Sequence, residues 1–359
     1  KIKIIMAEQY KKELETLIEA VLRDNGSDIH ITVGRKPAVR VTGDLLYLEK
    51  HEVVTKEATE GFLAELLNKE QIARFQTTQE IDFAYEHKGG LARIRGNAYY
   101  HQGFIGIALR VIPKVKNFTD LNLPQILEEF ARKKQGFFLV VGPVGQGKST
   151  TLASMINLIN NERAEHIITI EDPIEYIFEP NRSLIDQREV GIDTRDFHTA
   201  LKAAFRQDVD VLMIGEMRNP ETISTAVTAA ETGHLVLSTL HTNTASQTID
   251  RVIDSFPGDQ QDQIRFQLAS SLLGIFSQRL IPRISGGVIP AYELLINNSA
   301  ISNLIREKRT HEIDVVIETG LGQGMVDMNR SLYDLVQRGE ITPDNAFFNS
   351  LNPKALERM

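Results

Sequence analysis

The chain has 359 residues, 42% of them hydrophobic and 25% charged, and its 48 acidic side chains outnumber 40 basic ones to give a net charge of −8. That length accommodates two domains or more with separate cores, and the acidic balance offers no general basic field for gripping nucleic acid. There is no cysteine, so disulfides and thiolate metal sites are excluded, and nine dispersed histidines do not suggest structural zinc.

No apolar stretch approaches the roughly 20 residues of a membrane span, and the opening Lys1-Ile-Lys-Ile-Ile-Met6 turns polar too soon for a signal peptide. A cytoplasmic chain without a covalent membrane anchor is therefore expected. From Gln9 to Leu22 apolar residues recur near helical spacing, ending at Asp24-Asn-Gly-Ser27. Ile29, Ile31 and Val33 then alternate with polar residues, and after Gly34-Arg-Lys-Pro37 the run Ala38 to Val41 completes a hairpin pattern. Thr55 is placed to cap a helix reaching Leu67, and strand-like runs follow at Ile81 to Tyr85, Leu91 to Tyr99 and Phe104 to Val111. Strands and helices mixed without a βαβ rhythm predict a small α+β domain over residues 1–112.

Pro113 to Thr119, with its Pro, Lys and Asn residues, reads as a linker. Over 120–359 the texture changes to α/β. Strand-like runs at Phe137 to Val141, Ile167 to Ile170, Val211 to Ile214 and Leu235 to Thr239 alternate with helical stretches at 149–161, 196–206, 221–230 and 244–254. This rhythm predicts a mostly parallel sheet covered on both faces, with ligands at the carboxyl ends of its strands. From about residue 260 the chain reads as mainly helical, with helices around 261–280, 299–308 and 331–338.

The strongest local signal is Gly142-Pro-Val-Gly145-Gln146-Gly147-Lys148-Ser149-Thr150, set between an apolar strand and a helix. Such a loop turns successive backbone N–H groups inward at phosphate oxygens, and the helix N-terminus adds partial positive charge. Lys148 is suited to the β- and γ-phosphates and Ser149 to Mg²⁺. Phosphoryl transfer also needs carboxylates for metal and water and further positive charge for the transition state. Two apolar strands end in carboxylates: Val211-Leu-Met-Ile-Gly-Glu216, with Gly215 where an Asp is common, and Ile167-Ile-Thr-Ile-Glu171-Asp-Pro-Ile-Glu175. Glu216 is a candidate for the metal or the water, and so is Glu171.

The cations are less specific. Arg206 could sense phosphate, although a helix C-terminus favours arginine anyway. Arg218 could do the same or simply pair with Glu221, beside the helix start Asn219-Pro220. Arg93 and Arg95 share one face of a strand, and by spacing alone that face and Arg110 are ordinary solvated positions. His234 and His241 bracket an apolar strand and are candidates for reading the γ-phosphate, with an ordinary polar role equally compatible.

Several runs agree with one family. Gly142 to Thr150, Ile170-Glu-Asp-Pro-Ile-Glu-Tyr176, Ile185-Asp-Gln-Arg-Glu-Val190, Ala203-Ala-Phe-Arg-Gln-Asp208, Gly215-Glu-Met-Arg218 and Thr232 to His241 resemble the secretion ATPases of type II, type IV secretion and type IV pilus machines. The Walker A, Asp box, Walker B and His box stand in the family's order. Ser27-Asp-Ile-His30 and Arg93 to Pro113 are similar to its N-terminal, PAS-like domain.

The resemblance implies a RecA-like P-loop ATPase domain after a PAS-like α+β domain, a homohexameric ring, and ATP with Mg²⁺. It implies that Arg93, Arg95 and Arg110 close the nucleotide site from the first domain, and it favours Glu171 as the carboxylate that orients water with Glu216 on the metal side beside Ser149, the reverse assignment of the two glutamates staying open. Gly142, Gly145, Gln146, Gly147, Lys148, Ser149 and Thr150 would hold nucleotide, aided by Arg206, Arg218, His234 and His241. Ala300-Ile-Ser-Asn-Leu-Ile-Arg-Glu307 is similar to the A-I-R-N-L-I-R-E signature of the family's pilus retraction members, with Ser302 in place of the first arginine. The tetracysteine motif usual in assembly and type II secretion members is absent.

The expected function is thus a cytoplasmic motor for pilus retraction and twitching motility, docked on an inner-membrane pilus platform protein. A pilus assembly or secretion ATPase is the alternative. A RecA-like nucleic-acid translocase is remoter, because the chain is acidic and has no Trp.

Overall fold

The chain divides between Pro113 and Lys114 into two units, each with its own core, in a computed structural model that describes residues 2–24, 26–41, 43–88, 92–217 and 219–358. Leu91 and Arg218 lie outside the described residues.

In the first unit, α1 (Ile2–Arg23) buries Leu14, Leu17, Ile18 and Val21, the i, i+3, i+4, i+7 stripe of an amphipathic helix. After it come β1 (Asp28–Thr32), β2 (Ala38–Val41), β3 (Asp44–Tyr47), α2 (Lys56–Leu66), α3 (Lys69–Thr78), β4 (Glu80–His87), β5 (Ala92–His101) and β6 (Phe104–Ile112). Their six strands form one antiparallel sheet in the order β3-β2-β1-β6-β5-β4. Thr55 caps α2 by accepting from Ala58 N. Helix α3 and strand β3 were not legible in the sequence: α3 buries only Phe75, and every residue of β3 is exposed, so neither carries a hydrophobic period.

The second unit begins with α4 (Ile126–Ala131) and β7 (Gly136–Val141), then α5 (Lys148–Glu162), β8 (His166–Glu171), β9 (Leu184–Glu189), α6 (Phe197–Ala204), β10 (Val211–Ile214), α7 (Pro220–Glu231), β11 (Leu235–Leu240), α8 (Ala245–Asp254) and α9 (Gly258–Ser271). It continues with β12 (Leu272–Pro282), β13 (Val288–Ile296), α10 (Ser299–Arg306), α11 (Ile313–Thr319), α12 (Met328–Gln337), α13 (Pro343–Asn349) and α14 (Pro353–Leu356). The sheet order is β13-β12-β7-β11-β10-β8-β9, parallel except for the antiparallel β12/β13 pair. The fold is therefore α/β with a mixed, mostly parallel sheet. Strands β7, β10 and β11 are buried at every position, which is why they read as unbroken apolar runs.

The helix expected at 261–280 is corrected: α9 stops at Ser271, and Leu272 enters β12 in extended conformation. Ile264, Leu268, Leu272 and Ile275 are all buried and keep near-helical spacing across the junction. A strand covered on both faces is apolar at successive positions, so periodicity could not separate the two. Gly274 marks the strand, since a Cβ there would lie 2.6 Å from the Leu295 carbonyl of β13. The helix of the 300–307 signature is α10, capped by Asn298 and burying Ile301, Leu304 and Ile305. Its Ser302 donates to the Ala269 carbonyl at 3.0 Å.

Glu293 of β13 lies buried at the start of α8 and accepts from Ala245 N at 2.7 Å. Burial pushes its carboxyl up to about 7, with Asp314 and Asp327 adding to the rise against the Ala245 bond and Arg279. A carboxyl whose folded value is raised carries no penalty below its ordinary range, a growing one as pH climbs from there to about 7, and a constant one above. Glu293→Gln should therefore match the wild type at pH 4 and gain up to about 3 kcal/mol at pH 8, read from denaturant midpoints at the two pH values.

No helix among the described residues is long and apolar enough to cross a membrane.

Candidate nucleotide site

Strand β7 delivers Gly142, and the chain curls through Gly145 and Gly147, both at φ near +80°, before α5 begins. Only glycine holds this left-handed backbone without strain. At Gly142, with φ 145°, a Cβ would sit 2.4 Å from the Gln278 carbonyl of β12. Lys148 is 7% exposed, and its ammonium donates to the Gly142 and Pro143 carbonyls at 2.9 and 2.8 Å. Burial holds its pKa below the ordinary lysine value, against the pull of Glu175 and Glu216.

The ammonium also meets His241 Nδ1 at 3.2 Å, and His241 Nε2 lies 3.3 Å from Glu216 Oε2. An ammonium only donates, so Nδ1 accepts and Nε2–H is left to donate to Glu216. The strand-end histidine therefore joins the loop lysine to the carboxylate that follows β10.

Glu171 ends β8 and is 6% exposed. It accepts from Thr169 Oγ1 at 2.7 Å, Gln187 Nε2 at 3.3 Å and Glu175 N at 3.3 Å. Burial raises its pKa in spite of these bonds, leaving a carboxyl more basic than an exposed glutamate. A Cβ at 215 would stand in ordinary contact, 3.4 Å from Glu171 Cα and the Ile170 carbonyl, so packing does not require glycine at this position.

These groups share one cleft of about 290 Å³ at the carboxyl ends of β7, β8, β10 and β11, lined by 144–150, Glu171, Glu175, Tyr176, Glu216 and His241 among others. It brings together Gly145, Gln146, Gly147, Lys148, Ser149, Thr150, Glu171, Glu216 and His241, as the sequence suggested, with Gly142 beneath Lys148. Sequence reasoning missed Thr169, Gln187, Tyr176 and Gln278. Tyr176 shares a 2.7 Å hydrogen bond with Thr150, and Gln278 accepts from Thr151 Oγ1 at 2.7 Å. Tyr176 and Gln187 stood inside runs that carried the family resemblance, whereas nothing local marked Gln278.

Two of the expected residues, Arg206 and His234, do not line the chain's own cleft. Arg206 is exposed in the turn before β10. His234 precedes β11, with Nδ1 bonded to the Ala229 carbonyl at 2.9 Å and its ring edge-on to Phe205. Both lie at the amino ends of parallel strands whose carboxyl ends face the loop, so β10 and β11 themselves separate them from the cleft. Arg218 lies outside the described residues.

Arg93, Arg95 and Arg110 belong to the first unit. Arg95 and Arg110 are directly paired across β5 and β6. Arg110 is tied to Asp28 at 2.7 Å.

A strand, glycine loop and helix N-terminus facing strand-end carboxylates, on a mostly parallel sheet, define a P-loop nucleotide-binding protein. The chain belongs to the type II/IV secretion system protein family, whose description matches residues 7–288. It is 40% identical over 335 residues to a Pseudomonas aeruginosa protein described as type IV pilus retractation ATPase PilT, covering 93% of this chain and 97% of that one. It is 41% identical over 322 residues to a Neisseria gonorrhoeae twitching motility protein, covering 89% and 86%. A crystal structure of the pilus retraction motor PilT with bound ADP superposes with TM-score 0.90 at 44% identity, covering 96% of this chain and 99% of that one.

Proposed function

We propose that this protein is an ATP-hydrolysing motor that powers retraction of type IV pili and hence twitching motility. The observation that carries the reading is the P-loop cleft lined by both Lys148 and the buried Glu171, in a chain that is similar along its length to a retraction motor with bound ADP.

The backbone N–H groups of the loop and first turn of α5 cradle the phosphates, and Lys148 places its charge on the β- and γ-phosphates. Glu171, sequestered from solvent and raised in pKa, orients and deprotonates the attacking water. His241 holds Glu216 in register with Lys148, so that removal of the γ-phosphate alters both.

Among the described residues no group of three or more acidic or histidine side chains is assembled to cage a metal. That suits Mg²⁺, which takes one or two protein oxygens and completes its shell with water and phosphate. Ser149 and Glu216 are the oxygen donors that would hold it. When bound, it would neutralise phosphate charge in the transition state.

We read the second unit as RecA-like and the first as PAS-like, with 113–119 as linker and the protein working as a homohexamer. Arg93, Arg95 and Arg110 then supply charge to the nucleotide. Arg95 stands directly opposite Arg110, whose charge Asp28 already offsets in part, and an anionic ligand would be drawn to the pair. Force would pass to an inner-membrane platform protein from the cytoplasmic side, without nucleic acid.

Deleting the gene should leave cells with more surface pili and no twitching. Loss of surface pili on deletion would instead assign the chain to pilus assembly.

A further inference from the structure

The glycine loop is not held by its own helix alone. The β7/β12 ladder ends at Ser277 opposite Val141, yet β12 runs on beside the loop. Gln278 is 2% exposed there. Its Oε1 accepts from Thr151 Oγ1 at 2.7 Å, and its Nε2 donates to the Gln146 carbonyl at 2.7 Å. One residue pair further, Leu280 N donates to Gln146 Oε1 at 2.6 Å.

Resting on the nucleotide reading above, we propose that Gln278 is a positioning residue that clamps the phosphate loop to β12 and to the first turn of α5, setting where the γ-phosphate stands relative to Glu171. A glutamine suits this place because one planar amide both donates and accepts. It locks the loop carbonyl at 146 and the helix hydroxyl at 151 in a single rigid unit, and the Gln278 main chain closes against Gly142. The phosphate cradle is built of backbone N–H groups, so its aim depends on the path of the main chain and not on any side-chain rotamer. A loop freed from β12 would still present those groups, but in a broader set of positions. Displacements near 1 Å are enough to cost about a hundredfold in a positioned reaction.

The test compares wild type with Gln278→Met, Thr151→Val, Thr151→Ser and the Gln278→Met/Thr151→Val double variant, counting sites by titration with fluorescent ADP and dividing kcat by sites. A glutamine that served folding alone would lower the number of sites and leave turnover at each unchanged. The clamp predicts that Gln278→Met lowers per-site kcat by about tenfold or more. Thr151→Val should follow by at least about fivefold, and Thr151→Ser, which keeps the hydroxyl, should stay within about twofold of wild type.

The double variant should be no worse than the poorer single, because both remove one shared link. Should Gln278→Met fail to fold, the Val and Ser variants at 151 decide. Absence of ADP binding by the wild type would overturn the nucleotide reading and the clamp with it. ADP binding by the wild type with wild-type per-site kcat in Gln278→Met and Thr151→Val would overturn the clamp alone.

Discussion

Replacing Lys148 by alanine should lower ATP turnover at least about a hundredfold, the scale of losing one preorganised charge at the transferring group. The lysine stands at the first position of α5, where alanine is an excellent helix former, so the helix should persist. Its partners are the carbonyls of Gly142 and Pro143 and the ring of His241, and because the lysine lines the cleft, water can enter the space its side chain leaves. The melting temperature should accordingly move little while phosphate release, followed in a coupled assay, nearly stops. Normal turnover in a folded Lys148→Ala protein would rule out the enzymatic reading.

Glu171→Gln tests a different step. The amide keeps the size of the side chain and an acceptor for Thr169, but it cannot take a proton from water. Hydrolysis should fall by about 10²–10⁴ while ADP binding stays within a few-fold. The pH profile gives an independent check. A general base acts when deprotonated, and burial raises this carboxyl above the ordinary glutamate range. Wild-type kcat should therefore decline on acidification at a pH higher than an exposed glutamate would give, with full activity above that limb. The residual activity of Glu171→Gln should lack the limb. A limb that survives the substitution would move the base elsewhere, with Glu216 the next to test by the same change.

Parts of this site were legible because they are local. The loop is nine consecutive residues whose chemistry is complete in themselves, and Glu171 and Glu216 follow apolar runs whose ends define the active edge of a parallel sheet. The same rule, applied strictly, separates the two histidines: His241 follows β11 and reaches Lys148, while His234 precedes it and cannot. Arg206, before β10, fails for the same reason. Spacing alone puts Arg93 and Arg95 on one strand face, but that Arg95 stands directly opposite Arg110 needs the β5/β6 register.

The sequence alone determined the chemical class: a phosphate loop, two strand-end glutamates, no cysteine, and an α/β rhythm after an α+β start. Those features depend on neighbours within a few residues, where glycine torsions, helix caps and apolar periods are decided by covalent geometry. Only the tertiary structure decided the rest. It placed β12 as a strand where the apolar spacing also fitted a helix, because coverage of both faces erases the period. It gave the strand order β7-β11-β10-β8, which sets His241 between Lys148 and Glu216, and it brought Gln278 to Thr151 across 127 residues of chain. Such meetings depend on how whole elements stack, and no run of neighbouring side chains carries that information.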